Sequence, residues 1–139
     1  MKKTTQASLI IFYNSKCEIL LQERGSYSKF GEEWALFGGG IESGETPLGA
    51  LVREAKEELD LDMTMLDYQY LGEHICEYPE RTAHRNIFII HTDRRCEDFT
   101  ILEGSGCKYF TISDARALKM IGDMNQTLDI IEHHITTKM

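Results

Sequence analysis

The stretch from Gly38 to Leu61, GGGIESGETPLGALVREAKEELDL, decides how the rest of the chain is read. Thr46 followed by Pro47 marks a helix start, because the threonine hydroxyl can take up free N–H groups and proline fits a first turn, where its missing donor costs nothing. A helix is predicted over about Pro47 to Leu59. Leu48, Leu51, Val52, Ala55 and Leu59 recur at three- and four-residue steps and so form one stripe facing a core. Glu54, Glu57 and Glu58 recur at the same steps and crowd an anionic patch at its edge. Like charges at that spacing cost about 0.2–0.5 kcal/mol per pair on an exposed helix, and Arg53 with Lys56 offsets only part of it.

A cluster that repels itself is accounted for by a hard divalent cation. Mg²⁺ is held through a few carboxylate oxygens together with waters and substrate phosphates, which is the ligand set this patch supplies. For a charge run taken alone, a solvated helix face is the commoner outcome. The spacing around the cluster decides between the two. From Gly39 the chain gives a glycine, five residues, Glu45, seven residues, then Arg53-Glu54-Ala55-Lys56-Glu57-Glu58-Leu59-Asp60-Leu61. This resembles the Nudix box, G-x5-E-x7-R-E-U-x-E-E-x-G-U, with U an aliphatic residue. The opening glycine and every charged position match. Ala55 is a small version of the aliphatic residue, and Asp60 stands where the family has glycine. That departure touches the helix exit, since aspartate tolerates the left-handed conformation less well than glycine but better than most residues.

At 139 residues the chain fits one compact domain over 1–139, with the box at 39–61. A formal net charge of -8 argues against a nucleic-acid polymer as partner, since phosphate contacts want a basic face. A small phosphorylated ligand remains compatible if bound cations carry the positive charge. Cys17, Cys76, Cys96 and Cys107 form no C-x-x-C pair, which reads as reduced thiols in a cytoplasmic protein. The apolar run Leu9 to Tyr13 is too short for a signal-peptide core, and no stretch is long enough to span a membrane. A monomer or a homodimer is expected.

Alternation predicts strands at Ser8 to Tyr13 and Glu18 to Gln22, joined by a turn at Asn14-Ser15-Lys16. Gly25 to Glu33 reads as a polar loop, and Trp34 to Phe37 as a short strand delivering the glycines. After the box, Thr64 to Glu77 reads as a strand bending near Gly72, Pro79 to His84 as a turn, and Asn86 to Thr92 as a central strand. Arg94 to Gly106 is loop-like and Lys108 to Thr111 strand-like. Ser113 caps a short helix to about Met120, and Asn125 to Thr137 forms a last helix with Leu128, Ile131 and Ile135 inward. Interleaved strands and helices predict an α/β layer architecture. The resemblance makes this an α/β/α sandwich around a mixed β-sheet.

What the resemblance implies is Mg²⁺- or Mn²⁺-dependent hydrolysis of a nucleoside diphosphate linked to another moiety. It makes Glu54, Glu57 and Glu58 metal ligands, joined by the carbonyl of Gly39. Glu54 is the first choice for general base, with a carboxylate on a later loop second. Arg53 is expected to orient Glu57 through a forked pair of hydrogen bonds, and Glu45 to support the site from its loop. Gly38, Gly39 and Gly40 let backbone groups approach metal and phosphate.

Outside the box the chain resembles the MutT-like nucleoside triphosphate pyrophosphatases. Glu103-Gly104 before an aromatic strand is similar to the loop that supplies a further metal carboxylate there, and Arg24 matches a substrate-side arginine. Asn125 matches a purine-reading asparagine, although asparagine before a helix is also an ordinary cap. Leu36 replaces the aromatic ring expected beside the base, which weakens the implication of 8-oxo-dGTP. Tyr78 lies where dinucleoside polyphosphate hydrolases tend to have tyrosine, although a strand-end core tyrosine is the commoner outcome; a related hydrolase for dinucleoside polyphosphates or nucleotide sugars is the alternative. A non-catalytic nucleotide-binding module is the remaining alternative. His133-His134 reads as a solvated helix end, since adjacent residues point apart.

Overall fold

The computed structural model describes residues 2–25, 33–120 and 123–137. β1 (Lys3–Tyr13) is the axis of the sheet. It turns at Asn14, whose Oδ1 accepts the N–H groups of Lys16 and Glu18 at 3.0 Å each, into the antiparallel β2 (Glu18–Glu23). β3 (Trp34–Ala35) pairs with β2, and β4 (Phe37–Gly40) pairs antiparallel with β1. The expected strand at Trp34 to Phe37 is thus divided, with Leu36 at the step from one partner to the other. The box helix α1 (Pro47–Leu59) follows. β5 (Gln69–Glu77) and β6 (Arg81–His91) form a hairpin, and β6 runs parallel to β1 along its whole length, from Lys3 opposite Arg81 to Tyr13 opposite His91. β7 (Gly106–Thr111) closes the far side against β2, before α2 (Ile112–Arg116) and α3 (Asn125–Thr137).

Alternation along β1 and β6 sorts the core into two layers. Leu9, Ile11, Ile87 and Ile89 point to the face covered by Leu128, Ile131 and Ile135 of α3. Ile10, Phe12, Phe88 and Ile90 point to the face covered by Leu51, Ala55 and Leu59 of α1. Full burial of each such large side chain contributes about 1.5–3 kcal/mol. The result is a mixed seven-stranded sheet between helices, the α/β/α sandwich expected from the sequence.

Several boundaries differ from the sequence reading. Thr64 does not open β5: Asp62 caps a 3-10 turn at Met63–Met65, and pairing starts at Gln69. The bend near Gly72 is a bulge, with Gly72 at φ 101°. β6 starts at Arg81, earlier than Asn86, because the hairpin closes tightly with the Tyr78 N–H donating to the Arg81 carbonyl at 2.9 Å. α2 is capped by the Thr111 hydroxyl, not by Ser113, and stops at Arg116, short of Met120. Leu48 is 41% exposed and lies outside the buried stripe. Cys96 and Cys107, expected as reduced thiols, are joined in a disulfide. A 3-10 turn at Cys96–Asp98 brings the two Cα atoms to 6.0 Å, a fold-level proximity that residue spacing does not reveal. Cys17 and Cys76 are free. Most of the loop expected at Gly25 to Glu33 lies outside the described residues. Among the described residues no helix is long and apolar enough to cross a membrane.

Asp60 ends α1 in the left-handed conformation, φ 51°, with its N–H donating to the carbonyls of Ala55 and Lys56. Its ion pair with Lys56, 2.8 Å long, is solvent-exposed and contributes little. Asp60→Gly therefore removes Cβ strain at small cost, and the urea unfolding midpoint should rise by an amount equivalent to about 0.5–1 kcal/mol.

Candidate active site

The site forms where β4 is wedged between β1 and α1. Gly38 has φ 126°, and a Cβ there would collide with the Ser8 carbonyl of β1. At Gly39 a Cβ would lie 2.5 Å from Glu54 Oε1. The backbone itself demands glycine at position 38, whereas at position 39 a Cβ would push the Glu54 carboxyl out of place. The Gly38 N–H donates to Glu58 Oε1 at 2.8 Å, which ties the helix carboxyl to the strand.

Glu58 is 4% exposed. Burial pushes its carboxyl up to about 8; the Gly38 N–H opposes the rise, and the charges of Glu54, Glu103 and Glu57 add to it. Burial also raises Glu54, against the hydrogen bond from Arg53, with Glu57 and Glu103 again pushing upward. Glu57 projects to solvent, its side chain half-exposed.

Arg53 is the hub. Its Nε and Nη2 donate to Glu45 Oε2 and Oε1 at 2.7 and 3.0 Å in a two-pronged pair, Nη1 donates to Glu54 Oε1 at 2.8 Å, and Nη2 also reaches the Gly40 carbonyl at 2.9 Å. Glu57, the expected partner, stands at 3.5 Å. The fork goes to Glu45 because the loop before the helix folds back over the guanidinium, while Glu57 on the same helix meets it from the side. The Arg53 guanidinium, with the Glu42 N–H, holds the Glu45 carboxyl down at about 2.

The loop carrying Glu103 is fastened over this cluster. Gln22 Nε2 donates to the Glu103 carbonyl at 2.9 Å, the Ser105 N–H to the Glu23 carbonyl at 2.8 Å, and the Leu102 N–H to the Glu58 carbonyl at 2.8 Å. Gly104 has φ 86°, and a Cβ there would meet the Glu23 carbonyl at 2.5 Å. Glu103, Glu58, Arg24 and Gly38 to Gly40 line one cavity of about 350 Å³, whose other side is formed by β6 and Met124.

Asn125 is not brought into that cavity. It borders a separate hollow with Arg116 and Lys119, while its neighbour Met124 faces the main one. Nor does Asn125 serve as the cap, because Asp123 Oδ1 accepts the Asn125 N–H at 3.1 Å. Tyr78 is a strand-end tyrosine whose hydroxyl donates to the Asp123 carbonyl at 2.7 Å. His134 packs edge-on to Tyr13. Sequence reading missed Arg85, buried on β6 and lining the cavity. Its signal was available: Arg81, Ala83 and Arg85 continue the alternation of Ile87 and Ile89 on an inward face.

Among the described residues no three carboxylate, imidazole or thiol side chains are gathered into a ready-made cation cage. The donors nevertheless suit Mg²⁺ or Mn²⁺. Burial first, and then repulsion among Glu54, Glu57, Glu58 and Glu103, raises two of them; a dication relieves the repulsion, and Mg²⁺ completes its shell with waters and phosphate oxygens.

The linkage to stability has a definite sign. Below about 4.5 Glu58 is protonated both folded and unfolded; between there and about 8 the unfolded chain releases the proton that the folded one keeps. Metal-free protein should therefore lose stability as pH rises from about 5 to about 8, with Glu54 adding in the same direction. Urea unfolding across this range measures the slope, and Glu58→Gln should flatten it.

The family model for the NUDIX domain matches residues 3–129. A comparison with curated proteins finds no match. Solved structures of the same fold include a MutT protein from Methanosarcina mazei Go1, at TM-score 0.70 and 18% identity over 99% of this chain and 96% of that one. The dihydroneopterin triphosphate pyrophosphohydrolase of E. coli gives TM-score 0.70 at 19% identity over 98% and 99%. An Ap4A hydrolase binary complex from C. elegans gives 0.65 at 16% over 95% and 97%. The family match takes in the box, the whole sheet and the start of α3: the chain belongs to the NUDIX domain family and is a hydrolase acting on pyrophosphate bonds.

Proposed function

We propose that this chain, as a single domain over 1–139, is a Mg²⁺- or Mn²⁺-dependent pyrophosphohydrolase that cleaves an unmodified or oxidised nucleoside triphosphate to the monophosphate and pyrophosphate. The observation that carries the reading is that Glu58 and Glu103 line a cavity large enough for a nucleoside, with Glu54 packed against Gly39 of its wall and the box acids Glu54, Glu57 and Glu58 all present. Glu54, Glu57, Glu58, Glu103 and the Gly39 carbonyl would hold the cation, which when bound neutralises phosphate oxygens and lowers the pKa of a water.

The chain's own groups divide the remaining work. Glu54, raised by burial, is the group that accepts a proton from the attacking water. Arg53 touches no substrate; it positions Glu54 and is itself held by Glu45. Gly38 to Gly40 keep the cavity wall free of side chains where phosphates approach. Arg24 lines the same cavity and serves the substrate. As a binding-only module the chain would have no use for the full acid set, and no box acid is replaced. Dinucleoside polyphosphates and nucleotide sugars would meet the same acids, so product identity separates them from triphosphates.

Glu57→Gln should lower kcat about a hundredfold or more, since a neutral amide is a poor Mg²⁺ ligand while Glu57's exposure leaves folding intact. The check is a panel of nucleoside triphosphates, dinucleoside polyphosphates and nucleotide sugars with Mg²⁺, scored for pyrophosphate and phosphate release. Undiminished turnover by the variant would remove Glu57 from the site.

A further inference from the structure

Arg85 is 3% exposed, yet it has no carboxylate partner among the described residues. Nη1 donates to the Asp123 carbonyl and Thr127 Oγ1 at 2.9 Å each and lies 3.2 Å from the Tyr78 hydroxyl, all neutral. Nε and Nη2 have no acceptor among the described residues, and Arg85 lines the cavity. A buried guanidinium with three of its five N–H donors unused is costly unless a ligand supplies acceptors.

The register says where that ligand part would lie. Ala7 of β1 faces Gly40 on one side and Arg85 on the other, so Arg85 is two strand spacings, about 10 Å, across the sheet from the last box glycine. Phosphates at the glycine end leave the far end of the ligand beside Arg85. Between the two lie the short aliphatic walls of Ala7, Leu9, Leu36 and Ala83, which suit a flat ring.

We propose that Arg85 is a specificity-determining residue that reads two adjacent hydrogen-bond acceptors on the substrate's base, selecting 6-oxopurines. This rests on the nucleotide reading of the cavity. Arginine carries donors only, in a fixed fork. Guanine and hypoxanthine present O6 and N7, both acceptors, whereas adenine puts an amino donor beside N7. 8-Oxoguanine carries a proton on N7 and keeps only one acceptor of the pair, so the fork ranks it below guanine.

The test is calorimetric binding of GMP, IMP and AMP to metal-free protein, with turnover of dGTP, dATP and 8-oxo-dGTP under Mg²⁺ alongside. GMP and IMP should bind about tenfold or more tighter than AMP. Arg85→Gln, whose amide offers one donor and one acceptor, should shift the ratio toward AMP, a gain that misfolding cannot imitate. If Arg85→Gln does not fold, Arg85→Lys keeps the charge without the fork and should lose the discrimination. Equal binding of GMP and AMP by the unaltered protein, an unchanged ratio in either folded variant, or faster turnover of 8-oxo-dGTP than of dGTP overturns the proposal. Purine discrimination in binding without hydrolysis sinks the hydrolase reading and leaves Arg85 in place. Hydrolysis without discrimination does the reverse.

Discussion

Burying one carboxyl group under a strand is the constraint that the site depends on. Glu58 can stay beneath β4 because the Gly38 N–H meets it, and that N–H is available because Gly38 departs from ordinary strand geometry, φ 126°. The strand fits there only with no side chain at Gly38, which β1 crowds, and a side chain at Gly39 would displace the Glu54 carboxyl. Ala55, fully buried, lets α1 come close enough for the contact. The small residue at this box position is therefore a packing choice, in keeping with the tightness of the wedge.

Arg53 makes the remaining repulsion bearable. One guanidinium gathers Glu45, Glu54 and the Gly40 carbonyl, so loop, helix and strand are fixed relative to each other by a single side chain. Its geometry also ranks the acids. Glu45 is held strongly acidic and belongs to the scaffold, while Glu54 and Glu58 are left with raised affinity for protons and, by the same electrostatics, for cations. A lysine could not make this arrangement, because it lacks the planar fork.

The box, the two-layer core and α3 were legible because each is a local pattern: fixed spacing, alternation, or three- and four-residue periodicity. What was not legible depended on distant partners. Arg53 was expected to hold the neighbouring Glu57 by its fork, but Glu45 reaches it through a loop whose path spacing does not encode. Cys96 and Cys107 meet only because the 3-10 turn and β7 converge. Asn125 matched a family position, yet the start of α3 turns it away and brings Met124 to the cavity. Arg85 was overlooked because a charged residue on an inward strand face breaks the pattern used to find cores, and such breaks concentrate at functional positions.

The charge of the whole chain and the charge of the cavity differ in kind. A net charge of -8 repels polyanions at long range, which disfavours nucleic-acid polymers. A single nucleotide carrying a dication presents far less net charge and is not turned away. Inside, the acids Glu58 and Glu103 lie with the glycines, and the cations Arg81 and Arg85 line the β6 side of the same cavity. A ligand with its metal-bearing phosphates at one end and electron-rich ring edges at the other is complementary to that division in one orientation only. Under the proposed nucleotide reading, the reversed ligand would set a dication against two arginines and base acceptors against carboxylates, which favours the orientation that turns the scissile bond toward the box.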